Sequence, residues 1–84
     1  MRYLAMYEPG TLICVDRVVE FQKWIPHAGG CAYEYSELSP GTPILITGYL
    51  DDHSWTHKAV VGEMKGAVMA RDIMPRKVTI VRVA

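Results

Sequence analysis

No stretch of this sequence is apolar for long enough to cross a membrane as a helix, and MRYLAMYEPG holds no apolar run of signal-peptide length before Pro9-Gly10. The expectation is a cytoplasmic protein with no membrane partner. Cysteine is scarce: Cys14 and Cys31 are the only two, enough for one bridge. In a reducing compartment both are expected as free, mostly buried thiols. Charge of one sign is also missing, because nine Lys and Arg balance nine Asp and Glu at a pI near 6.8. No global field therefore draws the molecule onto nucleic acid or anionic membrane, and any such binding needs a local patch.

What is present is ordinary for a folded domain. Apolar residues make up 50% and charged residues 21% of 84 residues, too hydrophobic for intrinsic disorder. A chain this short builds one core, so residues 1–84 are read as a single domain. By size scaling it buries roughly 63% of its unfolded surface, a marginal amount that a partner or a second copy would supplement. A homo-oligomer therefore stays open.

Turn signals divide the chain at Pro9-Gly10, Pro26 to Gly30, Ser39-Pro40-Gly41, Asp51 to Ser54, Gly62 to Gly66 and Met74-Pro75. The pieces between them are short and rich in β-branched and aromatic residues. Tyr3 to Tyr7, Thr11 to Val15, Ile44 to Leu50, Trp55 to Val61, Ala67 to Ala70 and Val78 to Val83 read as strands. The fold expected is all-β: a partly open small barrel of five or six antiparallel strands with at most one short helix or 3-10 turn. Asp16 to Ile25 fits a helical stripe and a strand alternation almost equally, the paired valines favouring strand, and Pro26 is expected to end either one.

Reactive side chains are few and poorly spaced. His27 and Cys31, like His53 and His57, stand four apart, and Cys14 is a further ligand type. Without a Cys-x2-Cys turn to aim two thiolates at one ion, no metal and no cofactor is expected. Ser54 beside His53, or Cys31 near His27 with Asp51 or Asp52, would make a nucleophilic pair on paper. Strand neighbours point to opposite faces, however, so a small enzyme ranks third among the readings. Gly29-Gly30 is too short to cradle a phosphate. Arg71, Arg76, Lys77 and Arg82 against Asp72 give the last segment a local basic excess. It could contact phosphates, or it could shield an edge strand from pairing with other chains.

Several features in order resemble an SH3 domain or the wider SH3-like barrel group. Ala32-Tyr33-Glu34-Tyr35 resembles the ALYDY motif, and Glu37-Leu38-Ser39 followed by Gly41 resembles the ELSF segment and its glycine. Asp51 to Trp55 resembles the acidic approach to the Trp-bearing strand. Gly62 to Val68 resembles the hairpin that ends in a Gly-x-Val step, and Ala70 to Ile73 takes the place of the closing one-turn helix. The resemblance covers residues about 31–73 and implies a small barrel. It departs where the family's peptide groove needs a Pro and a last Tyr, because Met69 and Asp72 stand there, and the long loop between the tyrosines and ELSF looks nearly absent. Short single-barrel chains of this kind are also associated with phage and mobile elements.

The leading expectation is a non-catalytic module that binds another protein, with modulation of that partner's activity as a further option. Its surface is expected to centre on Tyr33, Tyr35, Tyr49 and Trp55, with Asp51 and Asp52 at the rim. Tyr and Trp join a wide apolar face to a polar tip and dominate binding energy when a partner covers them. Nucleic-acid binding through Arg71, Arg76, Lys77 and Arg82 is the runner-up.

Overall fold

The computed structural model describes residues 7–27, 30–50 and 53–83. Seven antiparallel strands form one open sheet: β1 (Leu12–Val15), β2 (Val19–His27), β3 (Gly30–Leu38), β4 (Pro43–Leu50), β5 (His53–Val61), β6 (Met64–Met69) and β7 (Val78–Arg82). Two 3-10 turns, Ala70–Asp72 and Pro75–Lys77, join β6 to β7. The spatial order is β3-β2-β6-β5-β4-β1-β7. The all-β expectation holds, with one strand and one 3-10 turn more than the upper estimate. Among the described residues no helix is long and apolar enough to cross a membrane.

The additional strand comes from a long hairpin. β2 and β3 pair in continuous register from Val19 opposite Leu38 to His27 opposite Gly30. Asp16 to Ile25 thus resolves as a bend followed by strand, in keeping with its paired valines. Pro26 does not end the strand but lies inside it, opposite Cys31. The physical reason is that β6 pairs with β2 only at Gln22 and Lys23. Beyond Lys23 no described residue pairs with that side of β2, so a missing N–H breaks no ladder among the described residues. The strand expected over Tyr3 to Tyr7 falls outside the described residues except at Tyr7.

Alternation then decides what is buried. Ile13 and Val15, Val19 and Phe21, Ile44 and Ile46, Ala59 and Val61, and Val68 all point to one face and form one core cluster with Leu38, Tyr7 and Ile73. No helix is available among the described residues to cover that face, so the sheet must curl and bury it against itself. One register shift supports the bend: Thr47 is passed over between the Ile46–Ala59 and Gly48–Lys58 pairs, a bulge within β4. Tyr7 is buried, its hydroxyl donates to the Ile73 carbonyl at 2.7 Å, and its ring meets that of His57 edge-on at 6.1 Å.

His57 gives the fold a pH dependence. It is fully buried in β5, and burial holds its imidazole below the ordinary histidine range. An imidazole that resists protonation in the folded state while titrating normally near about 6.5 in the unfolded chain favours unfolding as acid is added. Its contribution is complete above that unfolded value and is lost as pH falls below it. The melting temperature is expected to drop between pH 7.5 and 5.5, and the drop should shrink in His57→Phe. Equal slopes in the two proteins would show that other groups carry it.

Candidate docking face

The face opposite the core carries the aromatics. Gln22 and Trp24 of β2 alternate away from buried Phe21, and their β3 partners are Tyr35 and Tyr33. Both tyrosines stand well out of the surface, at 64% and 63% exposure, while Trp24 is half-buried. The Trp24 indole Nε1–H donates to the Gln22 side-chain oxygen at 2.9 Å, and the Gln22 amide reaches the Tyr35 hydroxyl at a long 3.5 Å. Three aromatic groups are thereby held on one surface by two rigid strands rather than by loops.

Register carries this surface across the sheet in two rows. In one, Tyr35 faces Gln22, Gln22 faces Ala67, Ala67 faces Lys58, and Lys58 faces Gly48. The Lys58 stem lies over Gly48, where an added methyl would sit 3.8 Å from its Cδ. In the other row Tyr33 faces Trp24, while Lys65 faces Val60, Val60 faces Leu45, Leu45 faces Leu12, and Leu12 faces Arg82. The two halves of this row meet at a pocket of about 250 Å³ lined by Trp24, Thr47, Lys58, Val60 and Lys65, with Ala59 and Gly66 at the backbone. Lys58 and Lys65 are exposed, whereas Val60, Leu45 and Leu12 are half-buried.

The expected site is only partly gathered. Tyr33 and Tyr35 stand together on the outward face. Tyr49, at 43% exposure, lies opposite His57 and therefore on the core-side face at its rim, away from the other two. Trp55 belongs to β5, but its side chain, like Asp51 and Asp52 entirely, lies outside the described residues. Trp24, Gln22, Lys58 and Lys65 were not singled out in the sequence. For Gln22 and Trp24 the signal is the parity of β2, since Phe21 buried implies both outward, and for Lys58 and Lys65 it is their alternation with buried Ala59 and Gly66; each parity needs the strand assignment first.

The basic segment is spread over different elements. Arg71 sits in the first 3-10 turn, Arg76 and Lys77 in the second, and Arg82 on β7 at the sheet edge. Arg71, Arg76 and Arg82 are exposed. The Lys77 Nζ donates to the Arg71 carbonyl at 2.9 Å, so this ammonium is partly used in tying the two turns together. Among the described residues no three His, Cys, Asp or Glu side chains converge on one point. No protein-family model, curated protein or solved structure matches the chain.

Proposed function

We propose that this chain is a non-catalytic protein-binding module that docks through the outward face of the β2–β3 hairpin and modulates the protein it binds. The observation that carries the reading is the set Trp24, Tyr33 and Tyr35, placed on one face of paired strands with both tyrosines more than 60% exposed. Large aromatics lose little side-chain entropy on burial and bring wide contact area, which is why a few of them account for most of the energy of an interface.

We also propose an SH3-like barrel architecture. Its support is the order of parts: a long hairpin that ends at Glu37-Leu38, the strand β4, the β5–β6 hairpin with Gly66 and Val68, a one-turn 3-10 helix, and a last strand beside β1. On this reading the hairpin β2–β3 supplies the long loop of the SH3 pattern, and Tyr33 and Tyr35 belong to that hairpin. The tyrosines then act from its outward face and not from an ALYDY position.

The test compares Tyr33→Ser/Tyr35→Ser with Arg76→Glu/Lys77→Glu in affinity capture from the native host's lysate. Tyr33, Tyr35 and Arg76 are exposed and Lys77 gives up one surface hydrogen bond, so melting temperatures should fall only slightly below that of the parent. A specific protein captured by the parent is expected to be retained by the arginine–lysine variant and lost by the tyrosine variant. Losing two hot-spot side chains at about 2 kcal/mol each weakens binding by a factor on the order of 10³. The reverse pattern, with a captured nucleic acid and steep loss of affinity in salt, would transfer the function to the basic segment.

A further inference from the structure

The docking reading leaves open what chemistry the partner presents, and the two cross-sheet rows answer it. Formal charges balance over the whole chain, nine against nine. The row from Tyr35 to Gly48 and the row from Tyr33 to Arg82 nevertheless hold three cations, Lys58, Lys65 and Arg82, and no carboxylate. On the β2–β3 hairpin the acids of this face, Glu20 and Glu37, pair with each other two residues beyond Gln22 and Tyr35, toward the hairpin's base. Between Lys65 and Arg82 the row is apolar, through Val60, Leu45 and Leu12. The surface is therefore a cationic border around an apolar strip, with a pocket beside Trp24.

The size of that pocket selects among ligands. At about 250 Å³ it falls below the roughly 300–1,000 Å³ typical of sites that enclose a small molecule, yet it has room for one large apolar side chain. The distance from β3 to β4 across the sheet is four strand spacings, about 19 Å, which an extended peptide covers in roughly six residues. Like charge repels at the rim and opposite charge is favoured, so the same two lysines that admit a carboxylate exclude a basic segment.

Resting on the docking reading, we infer that this face takes an acidic segment of its partner, in extended form, with an apolar side chain in the pocket between Trp24 and Lys58 and with Asp or Glu on either side meeting Lys58 and Lys65.

The experiment is selection from a phage-displayed library of random peptides about twelve residues long, twice the span of the face, on the immobilised full chain. The expected result is a set of binders in which acidic residues flank an apolar one. Individual binders should weaken at least about tenfold against Lys58→Glu/Lys65→Glu and also against Tyr33→Ser/Tyr35→Ser. Binders that depend on Tyr33 and Tyr35 but carry no acidic residues, or that ignore the lysine reversal, overturn this inference and leave the docking reading standing. A selection in which no binder depends on Tyr33 or Tyr35 removes both. In parallel, an oligothymidylate that binds the parent and is lost on lysine reversal, with no acidic peptide selected, would assign the cations to phosphates and overturn the inference as well. Lys58 and Lys65 are exposed, so retained melting curves confirm that each comparison is made on folded protein.

Discussion

Gly66→Ala is expected to cost at least about 3 kcal/mol of stability, enough to leave an 84-residue domain partly unfolded at room temperature. Where β6 meets β2, a methyl group on Gly66 would lie 1.8 Å from the Gln22 carbonyl oxygen and 2.9 Å from the Phe21 Cζ. The first obstacle is backbone, so no rotamer change relieves it. β2 and β6 pair only at Gln22–Ala67 and Lys23–Gly66, and separating the strands there would detach the whole β2–β3 hairpin from the rest of the sheet. Gly62→Ala is the control. Gly62 has φ of +59° and open space around its missing side chain, so alanine meets only conformational strain there, about 1–2 kcal/mol. Urea unfolding of the two variants measures the contrast, and a Gly66→Ala midpoint no lower than that of Gly62→Ala would show that β6 can retreat from β2.

Phe21→Ala is expected to cost about 3–5 kcal/mol, for a different reason. Phe21 is the one phenylalanine in the chain and is fully buried in the common core. Its removal leaves a void between strands whose backbones are fixed by hydrogen bonds, so collapse around it is incomplete. Phe21→Leu keeps much of the volume and should cost roughly 1–2 kcal/mol. The two sites touch, and their energies need not add. The freed space beside Gly66 does not rescue Gly66→Ala, because the Gln22 carbonyl remains in place. A double variant that is more stable than Gly66→Ala alone would place the main obstacle at the phenylalanine ring instead.

Much of the sheet could be read from local pattern. β1, β4, β5 and β7 announce themselves by β-branched runs between Gly and Pro turns, and their limits fall within a few residues of expectation. β3 did not, because Gly30 to Leu38 mixes Ala, Ser, Glu and Tyr with little apolar alternation. Among the described residues it is an edge strand, with a single pairing partner and mostly exposed side chains, so the hydrophobic signal that marks a buried strand is absent for a physical reason. Pro26 misleads for a related reason: its effect depends on whether a neighbour needs its N–H, and only the sheet order shows that no described neighbour does. The site followed the same division. Tyr33 and Tyr35 were visible as exposed aromatics, but Tyr49 changes face through its pairing with His57, and Trp24 joins the set only once cross-strand register is known.

The position of β1 has a bearing on how the protein is made. β1 lies between β4 and β7, so one of its ladders joins residues far apart in the sequence, Leu12 with Arg82 and Val15 with Val78. The β2–β3 hairpin, by contrast, needs only neighbouring residues and can close within about 1–10 μs of leaving the ribosome. At about 5–20 residues per second of synthesis, β1 waits several seconds for β7 to be made. During that interval the backbone donors and acceptors of Leu12–Val15 on the β7 side have no strand to satisfy them, and Ile13 and Val15 have no completed core to enter. The order of translation therefore leaves the β7-facing edge of β1 unsatisfied until Val78–Arg82 emerge, and makes β1 the segment that a holding chaperone would need to cover.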